Sequence, residues 1–214
     1  MTAVILANGE FPRKEYPLWI LKNAEIVVCC DSATSVRRLR KIGVEPVAVV
    51  GDMDSTPASV RKALGPLAVK VDEQDFNDLD KAFRWLLENY PQADDIHVLG
   101  ALGKSEAHAM GNLSYLMYWE QTLSLASKGI KVDMVSDYNT AFAIGDSCEL
   151  HVGEGRKVSF FAMDKTLRIK SSGLQWPTDD VEFDFWFRGT LNRAVDDVIS
   201  LRLNHPAPAL VVLD

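Results

Sequence analysis

The sequence has few residues that form disulfides or bind soft metals. Its 214 residues include three cysteines and four histidines. Cys29 and Cys30 are adjacent, and the cysteines show no metal-ligand spacing with the scattered histidines. This usage argues against a disulfide framework or a zinc site, and it fits a reducing compartment best.

Long apolar runs and blocks of like charge are also missing. No apolar run approaches the roughly 18 residues that span a bilayer, and no charged start leads into an apolar signal region. The net charge of −7 argues against a protein that binds the phosphate backbone of nucleic acids. We therefore expect a cytoplasmic, soluble protein whose partners are small molecules or proteins, with neither nucleic acid nor membrane among them.

Up to about residue 139, short apolar runs alternate with stretches of helical spacing such as Leu79, Phe83, Leu86 and Leu87. The runs, which we interpret as buried strands, cover residues 4–7, 26–30, 47–50, 68–71, 96–99 and 132–135. Alternating strands and helices are typical of a parallel sheet with helices packed on it. The sequence therefore predicts an N-terminal α/β domain over residues 1–139.

The pattern changes after residue 139. Short apolar segments separated by Gly, Pro, Asp and Asn cover residues 148–152, 158–162, 167–170, 181–187, 198–203 and 210–213. No long helical period remains, so residues 140–214 are predicted to form a C-terminal all-β sandwich domain.

Acidic residues follow several strands of the predicted parallel sheet. Asp31, Asp52, Asp54 and Asp78 would meet at the carboxyl edge, where open sheets bind ligands. Each could instead shape a turn or cap a helix, and Asp78 looks like an N-cap. Gathered carboxylates repel one another, and a bound cation removes that cost. Oxygen ligands without nearby His or Cys suit Mg²⁺, which makes a Mg-nucleotide the first-choice ligand.

The stretch "LGALGKSEAH", residues 99–108, contains a Gly-Lys-Ser that resembles a phosphate-binding loop. A Walker loop needs glycine five residues before Gly103, and Val98 stands there. The sequence therefore argues against a Walker loop at this position.

Several motifs together resemble the thiamine pyrophosphokinase family over nearly the whole chain. The fairly specific ones are Gly51-Asp52-Met53-Asp54-Ser55 followed by Asn77-Asp78-Leu79-Asp80-Lys81-Ala82; weaker ones are Asn8-Gly9, Asp31-Ser32-Ala33, Gly100-Ala101-Leu102-Gly103 with His108 and Asn112, and Ser172-Gly173-Leu174-Gln175-Trp176. The resemblance implies an α/β domain that binds ATP and Mg²⁺, a β-sandwich, and a homodimer that forms the thiamine pocket between subunits. The implied reaction transfers pyrophosphate from ATP to the thiamine hydroxyl.

The resemblance also assigns roles to residues. Mg²⁺ ligands would be Asp52, Asp54 and Asp78, and catalytic residues Asp54, Asp78 and His108. Contacts to ATP would come from Asn8, Asp31, Ser32, Gly51, Asp52, Ser55, Lys81, Gly103, Lys104 and Asn112. Contacts to thiamine would come from Ser172, Trp176 and Asn192.

Two of these residues also have structural interpretations. A lone His such as His108 is more often a hydrogen-bonded structural residue. Trp176 could belong to the sandwich core, or its indole could stack on the cationic thiazolium of thiamine, contributing about 0.5–2 kcal/mol.

The chain departs from the family pattern at positions near the expected substrates. In Gly-Gly-Arg-x-Asp-His, the second glycine is Lys104, the arginine is Ser105 and the aspartate is Ala107. In Gly-Thr-Ser-Asn, the serine is Leu191. Two hypotheses follow: a working enzyme in which Lys104 supplies the missing charge, or a diverged relative that binds a nucleotide or another alcohol with little or no turnover.

Overall fold

The computed structural model describes residues 1–54 and 56–214. The chain forms two compact units, one of residues 1–112 and 130–137, the other of residues 113–129 and 138–214. The functional boundary expected between residues 139 and 140 remains a prediction. Within the described residues, no helix is both long enough and apolar enough to cross a membrane.

The first unit is built on parallel strands, as predicted. They are β1 (Thr2–Leu6), β2 (Ile26–Cys30), β3 (Ala48–Gly51), β4 (Ala68–Lys70), β5 (Asp95–Leu99) and β6 (Lys131–Val135). Their order across the sheet is β6-β5-β1-β2-β3-β4, and every neighbouring pair is parallel. The helices that connect these strands are α1 (Glu15–Asn23), α2 (Ala33–Lys41), α3 (Ala58–Leu64), α4 (Asp78–Asn89) and α5 (Glu106–Leu123), and residues 113–123 of α5 belong to the second unit.

Alternate side chains of the parallel strands form a core with the helices. Val4 and Leu6 of β1 lie in one buried cluster with Ile20 of α1 and with Val36 and Leu39 of α2. Burying one such side chain stabilises the fold by about 1.5–3 kcal/mol. This core fixes the strand ends from which the polar loops leave.

The strand order changes direction between β1 and β5. Strands β1 to β4 follow one another outward, whereas β5 lies on the other side of β1. Open α/β sheets bind ligands at such a switch point, beyond the carboxyl ends of the strands. The loops that begin at Ala7 and Gly100 therefore lie where a ligand is expected to bind.

Residues 138–214 of the second unit form a sandwich of two antiparallel sheets, which confirms the all-β architecture predicted for this part of the chain. One sheet has the order β11-β9-β13-β7 and the other the order β10-β12-β8. The strands are β7 (Thr140–Ile144), β8 (Cys148–His151), β9 (Lys157–Ala162), β10 (Ile169–Ser172), β11 (Asn192–Arg193), β12 (Val198–Leu203) and β13 (Ala209–Leu213). Phe160 and Val211 from the first sheet share a core with Ile169, Ile199 and Leu201 from the second.

Three details of the sandwich differ from the prediction. The strands β7 and the two-residue β11 are additional, and β10 lies two residues later than the predicted segment 167–170. The strand predicted over residues 181–187 is wrong: this segment forms turns and a 3₁₀ helix, Trp186–Gly189. Its backbone is satisfied locally, because the N–H groups of Val181 and Arg188 donate to the carbonyls of Thr178 and Phe185. The alternating aromatic residues of this segment therefore do not form one face of a strand.

Candidate active site

The loops after β1 and β5 meet through their backbones. The N–H of Gly9 donates to the carbonyl of Gly100 at 2.7 Å. A Cβ at position 9 would lie 2.3 Å from that carbonyl oxygen, so a glycine is required here. Beside this contact lies a cleft of about 480 Å³, which we call the switch-point cleft. Seven predicted site residues line it: Asn8, Asp31, Asp78, Gly103, Lys104, His108 and Asn112.

The start of α4 corrects the predicted cap. Asn77, not Asp78, is the N-cap, and its side-chain oxygen accepts hydrogen bonds from the N–H groups of Leu79 and Asp80. Asx side chains cap a helix from the residue before its first turn, and Asn77 occupies that place. The carboxylate of Asp78 is therefore not used for capping and contributes to the cleft.

Three carboxylates meet at the ends of β2 and β3 and the start of α4. Asp31, Asp52 and Asp78 each offer one oxygen, and these oxygens lie within 4.8 Å of one another. All three side chains are partly buried. In addition, the backbone N–H of Asp52 donates to Asp78 Oδ1 at 3.3 Å. The predicted gathering of carboxylates thus holds for Asp31, Asp52 and Asp78, although the resemblance assigns Asp31 to ATP and not to Mg²⁺.

Lys81 compensates part of this negative charge from one turn further along α4. Its ammonium is 3.5 Å from Asp52 Oδ2 and 3.4 Å from Asp78 Oδ1, and its side chain is only 3% exposed. One ammonium against three carboxylates leaves a formal charge of −2. A single divalent cation would neutralise that remainder, and an all-oxygen donor set is the kind that Mg²⁺ prefers.

The pKa values of two neighbouring carboxyls are shifted in opposite directions. Burial and the nearby charge of Asp52 raise the pKa of Asp78 above its ordinary value. The hydrogen bond from the backbone N–H of Asp54, together with the charge of Lys81, lowers the pKa of Asp52. Such separation is common where several acids share one site. The ionised carboxylate of Asp78 is therefore the one that a bound cation would stabilise most.

Gly51, at the end of β3, permits the close approach of these carboxylates. A Cβ there would lie 2.5 Å from Asp31 Cβ and 3.1 Å from Asp78 Oδ1. Even the smallest side chain would push the two acids apart. The glycine of the Gly-Asp-x-Asp motif is thus explained by sterics around the cluster.

The β5–α5 loop and the start of α5 also line the switch-point cleft. Lys104 has a positive φ of 66°, and its ammonium donates to the carbonyl of Asn8 at 2.9 Å. Ser105 lies between this lysine and α5, and its hydroxyl is 2.9 Å from Nδ1 of His108. Asn112 is buried and donates to the carbonyl of Ala101 at 2.7 Å. The loop and the first turn of α5 thereby place one cation and one imidazole at the cleft that Asp31 and Asp78 also line.

Two further predicted residues of the first unit, Ser32 and Asp54, belong neither to the lining of the cleft nor to the carboxylate cluster. Ser32 is buried, caps α2 by accepting from the N–H of Ser35, and donates to Asn8 Oδ1. Asp54 is exposed and is not one of the three clustered acids. Ser55 lies outside the described residues. The roles of Asp54 and Ser55 thus stay predictions without a geometric argument.

In the second unit, Trp176 is held by Asn192. The side-chain oxygen of Asn192 accepts from the backbone N–H of Trp176 at 3.2 Å, and its amide donates to the Trp176 carbonyl at 2.6 Å. Asn192 is buried, whereas Trp176 is 54% exposed. The indole is therefore a surface side chain on a fixed backbone and not a core tryptophan. Ser172 is exposed at the end of β10.

Sequence reasoning missed Cys30 and Asn77 as residues of the switch-point cleft. Burial raises the pKa of the Cys30 thiol well above its ordinary value, so this cysteine is a poor nucleophile there. Asn77 carried a usable signal, because an Asn before an acidic first turn is a preferred cap. Cys30 carried none, being one apolar strand residue among others.

Two family models match the chain, one to each half of the architecture. The model described as "Thiamin pyrophosphokinase, catalytic domain" matches residues 18–126, and "Thiamin pyrophosphokinase, substrate-binding domain" matches residues 141–206. Among curated proteins, thiamine pyrophosphokinase 1 of Oryza sativa subsp. japonica is 27% identical over 211 residues, covering 86% of this chain and 76% of the relative. The Bacillus subtilis thiamine pyrophosphokinase is 31% identical over 129 residues, covering 58% of this chain and 52% of the relative.

The fold also has a close match among solved structures. The crystal structure of thiamine pyrophosphokinase from Bacillus subtilis superposes with a TM-score of 0.77 at 21% identity, covering 100% of this chain and 99% of that one. Since the catalytic-domain model alone spans half of the sequence, the chain belongs to the thiamin pyrophosphokinase family.

Proposed function

We propose that the protein transfers the pyrophosphoryl group of ATP to the hydroxyl of thiamine, giving thiamine diphosphate and AMP. The observation that carries this proposal is the cluster of Asp31, Asp52 and Asp78 with Lys81 at the carboxyl edge of the parallel sheet. In a member of this family, such a cluster next to a polar cleft is suited to a nucleotide with its Mg²⁺.

The reaction forms one phosphorus–oxygen bond and breaks another. The thiamine hydroxyl oxygen attacks the β-phosphorus, the bond to the α-phosphate oxygen breaks, and the hydroxyl proton is released. Catalysis of this kind depends on alignment and on neutralising the phosphate oxygens. A Mg²⁺ ion held by the clustered carboxylates would supply Lewis-acid neutralisation of those oxygens. Lys81 keeps the acids together, and Lys104 and His108 line the side of the cleft where phosphate oxygens would be bound.

Thiamine recognition is proposed for the second unit. Trp176 presents its indole to solvent, and Asn192 fixes the backbone behind it. The indole face suits the cationic thiazolium, and Ser172 is the predicted hydroxyl contact.

We propose a homodimer as the assembly, because Phe185 and Phe187 stack at 6.1 Å with 61% and 70% exposure and thus form an apolar surface. A cytoplasmic location stays a prediction from the cysteine usage.

The proposal is tested by incubating purified protein with ATP, Mg²⁺ and thiamine and measuring AMP and thiamine diphosphate. We expect both products in equal amounts. Asp52→Asn should lower kcat by about 100-fold or more, since it removes one clustered carboxylate. Asp72→Asn, which removes an exposed acid outside the cluster, is the matched control and should stay within about twofold. ATP consumption without thiamine diphosphate would refute the proposal.

The departures from the family pattern suggest a second candidate function, the binding of a nucleotide or another alcohol with little or no turnover. Ser105 lines the cleft where the pattern has arginine, and Leu191 is 58% exposed where the pattern has serine. In a diverged binding protein, Ser105→Arg with Ala107→Asp would raise a near-zero rate sharply. In the enzyme that we propose, Lys104 already supplies a cation, and the double variant should change kcat by less than about fivefold.

A further inference from the structure

A second cleft, of about 630 Å³, lies beside the switch-point cleft in the first unit. We call it the basic cleft, because four of its lining residues are cations: Arg13, Arg38, Lys41 and Lys104. Glu10 is the acid among its lining residues, and its carboxylate pairs with Arg13 at 3.5 Å. The surplus of positive charge stands out in a chain whose net charge is −7. Converging cations raise the local concentration of anions.

The basic cleft adjoins the switch-point cleft. Gly9 and Lys104 line both, so the lysine stands at their boundary. Its position is fixed on one side by the hydrogen bond from its ammonium to the Asn8 carbonyl. An elongated anion bound near the carboxylate cluster could therefore extend past Lys104 into the basic cleft.

The guanidinium of Arg38 is oriented by an aromatic ring. Its central carbon is 5.6 Å from the centroid of Phe11, and this ring also lines the cleft. A cation over a ring face is held in place without losing its hydrogen-bond donors. Arg38 thus keeps its donors for an anion, and charge-assisted bonds to phosphate are among the strong ones.

A purely structural explanation covers part of this cluster. Cations near the C-terminus of a helix are favoured by the helix dipole, and Arg38 and Lys41 lie in the last turns of α2. Arg40 has the same advantage but pairs with Glu45 and does not line the cleft. Arg13 and Lys104 come from other loops, where no such advantage exists. The helix dipole therefore does not account for the convergence of all four.

The geometry points to a phosphate-binding subsite: the basic cleft holds the part of the nucleotide's phosphate chain that lies beyond the carboxylate cluster, with Arg38 and Lys41 as its specific contacts. This inference rests on the proposed use of ATP. It assigns a binding role to Arg13, Arg38 and Lys41, which sequence reasoning did not single out. Their positions in the sequence form no charged run, and the topology alone brings them together.

The first experiment measures anion binding without turnover. Inorganic triphosphate is titrated calorimetrically into the protein in the presence of EDTA, so that no Mg²⁺ contributes. Arg38→Gln with Lys41→Gln should weaken binding by about tenfold, and added salt should weaken it in the wild type. Arg37→Gln with Arg40→Gln removes the same charge from the same helix outside the cleft and should change affinity by less than about twofold. Equal losses in both double variants would overturn the subsite.

The second experiment separates this subsite from an independent anion site. With Mg²⁺ present, inorganic triphosphate should displace ATP, and the Arg38/Lys41 variant should show a raised KM for ATP with little change in kcat. Binding of triphosphate without displacement of ATP would overturn the assignment, as would a loss of adenosine binding instead of triphosphate binding. A wild type that binds triphosphate but makes no thiamine diphosphate would refute the proposed function and leave the anion-binding result standing.

Discussion

Lys81 is the residue whose removal tests most directly how the carboxylate cluster is held together. Its buried ammonium contacts both Asp52 and Asp78. In Lys81→Met, an apolar chain of similar length fills the same space, and the acids lose their shared cation. We expect the metal-free protein to lose stability and, at the same time, to bind Mg²⁺ more tightly, because the formal charge of the cluster changes from −2 to −3.

The size of the stability loss follows from distance and exposure. Two unit charges about 3.5 Å apart attract by about 5 kcal/mol at an effective dielectric constant of about 20, and desolvation of the ammonium offsets much of this. Breaking a buried ion pair costs about 3–5 kcal/mol. Here the side chains of Asp52 and Asp78 are 25% and 32% exposed, so water screens part of the interaction. We expect a net loss of about 2 kcal/mol, which for a chain of this size lowers Tm by about 4–8 °C.

Thermal unfolding with and without Mg²⁺, combined with calorimetric titration of Mg²⁺, measures both effects. Saturating Mg²⁺, at about 100 times its Kd, stabilises a folded protein by about 2.7 kcal/mol and should restore most of the lost Tm. Lys62→Met removes an exposed lysine of α3 and is the matched control, with Tm and Mg²⁺ affinity unchanged. If Mg²⁺ bound Lys81→Met more weakly than the wild type, the electrostatic argument for the cluster would be refuted.

Three further predictions concern the same unit. Asp78→Asn should raise Tm of the metal-free protein by about 1–2 °C, since it removes a carboxyl whose pKa is raised by burial and by Asp52, while calorimetry should show weaker Mg²⁺ binding. Gly51→Ala should cost about 1–3 kcal/mol in chemical unfolding and weaken Mg²⁺ binding, and an unchanged Mg²⁺ affinity would contradict the steric argument. Burial lowers the pKa of His97, but the carboxylate of Asp133, 2.6 Å away, outweighs this and raises it. The resulting stability is present below the unfolded pKa of about 6.5 and is lost as pH rises through the folded pKa, so His97→Gln should flatten the decline of Tm above neutral pH.

The parallel sheet and its acidic edge were predictable because the spacing of apolar residues can be recognised within short segments of the sequence and because parallel strands all end at the same edge. Apolar runs of strand length alternate with helical spacing, and parallel strands place their following residues at one edge. Asp31 and Asp52 directly follow β2 and β3, Asp78 begins the helix after β4, and the structure brings the three together. The sequence could not show which of the acidic residues form the cluster. Asp54 follows the same strand as Asp52, but its side chain is exposed and is not part of the cluster.

The N-cap predicted for α4 was wrong by one residue. Both Asn77 and Asp78 have side chains that cap helices, and propensity alone does not choose between them. In the structure Asn77 caps the helix, so Asp78 is available to the cluster. The segment 181–187 failed for a different reason. Its alternating aromatics satisfy the strand pattern, but local turns and the 3₁₀ helix at Trp186–Gly189 satisfy its backbone without a partner strand.

Lys104 lines both clefts. Because its backbone has a positive φ, a glycine can replace it without loss of the loop conformation, which separates its role in anion binding from its role in the loop. It has φ of 66° where the family pattern has glycine, a conformation that costs a residue with a side chain about 1–2 kcal/mol. Lys104→Gly removes this strain but also removes the hydrogen bond to the Asn8 carbonyl, which contributes about 1 kcal/mol. The two effects nearly cancel, so Tm should move by less than about 3 °C while binding of inorganic triphosphate weakens by about tenfold. Unchanged triphosphate binding would show that the lysine is retained for the loop and not for an anion, and the phosphate chain would then be held by Arg13, Arg38 and Lys41 without it.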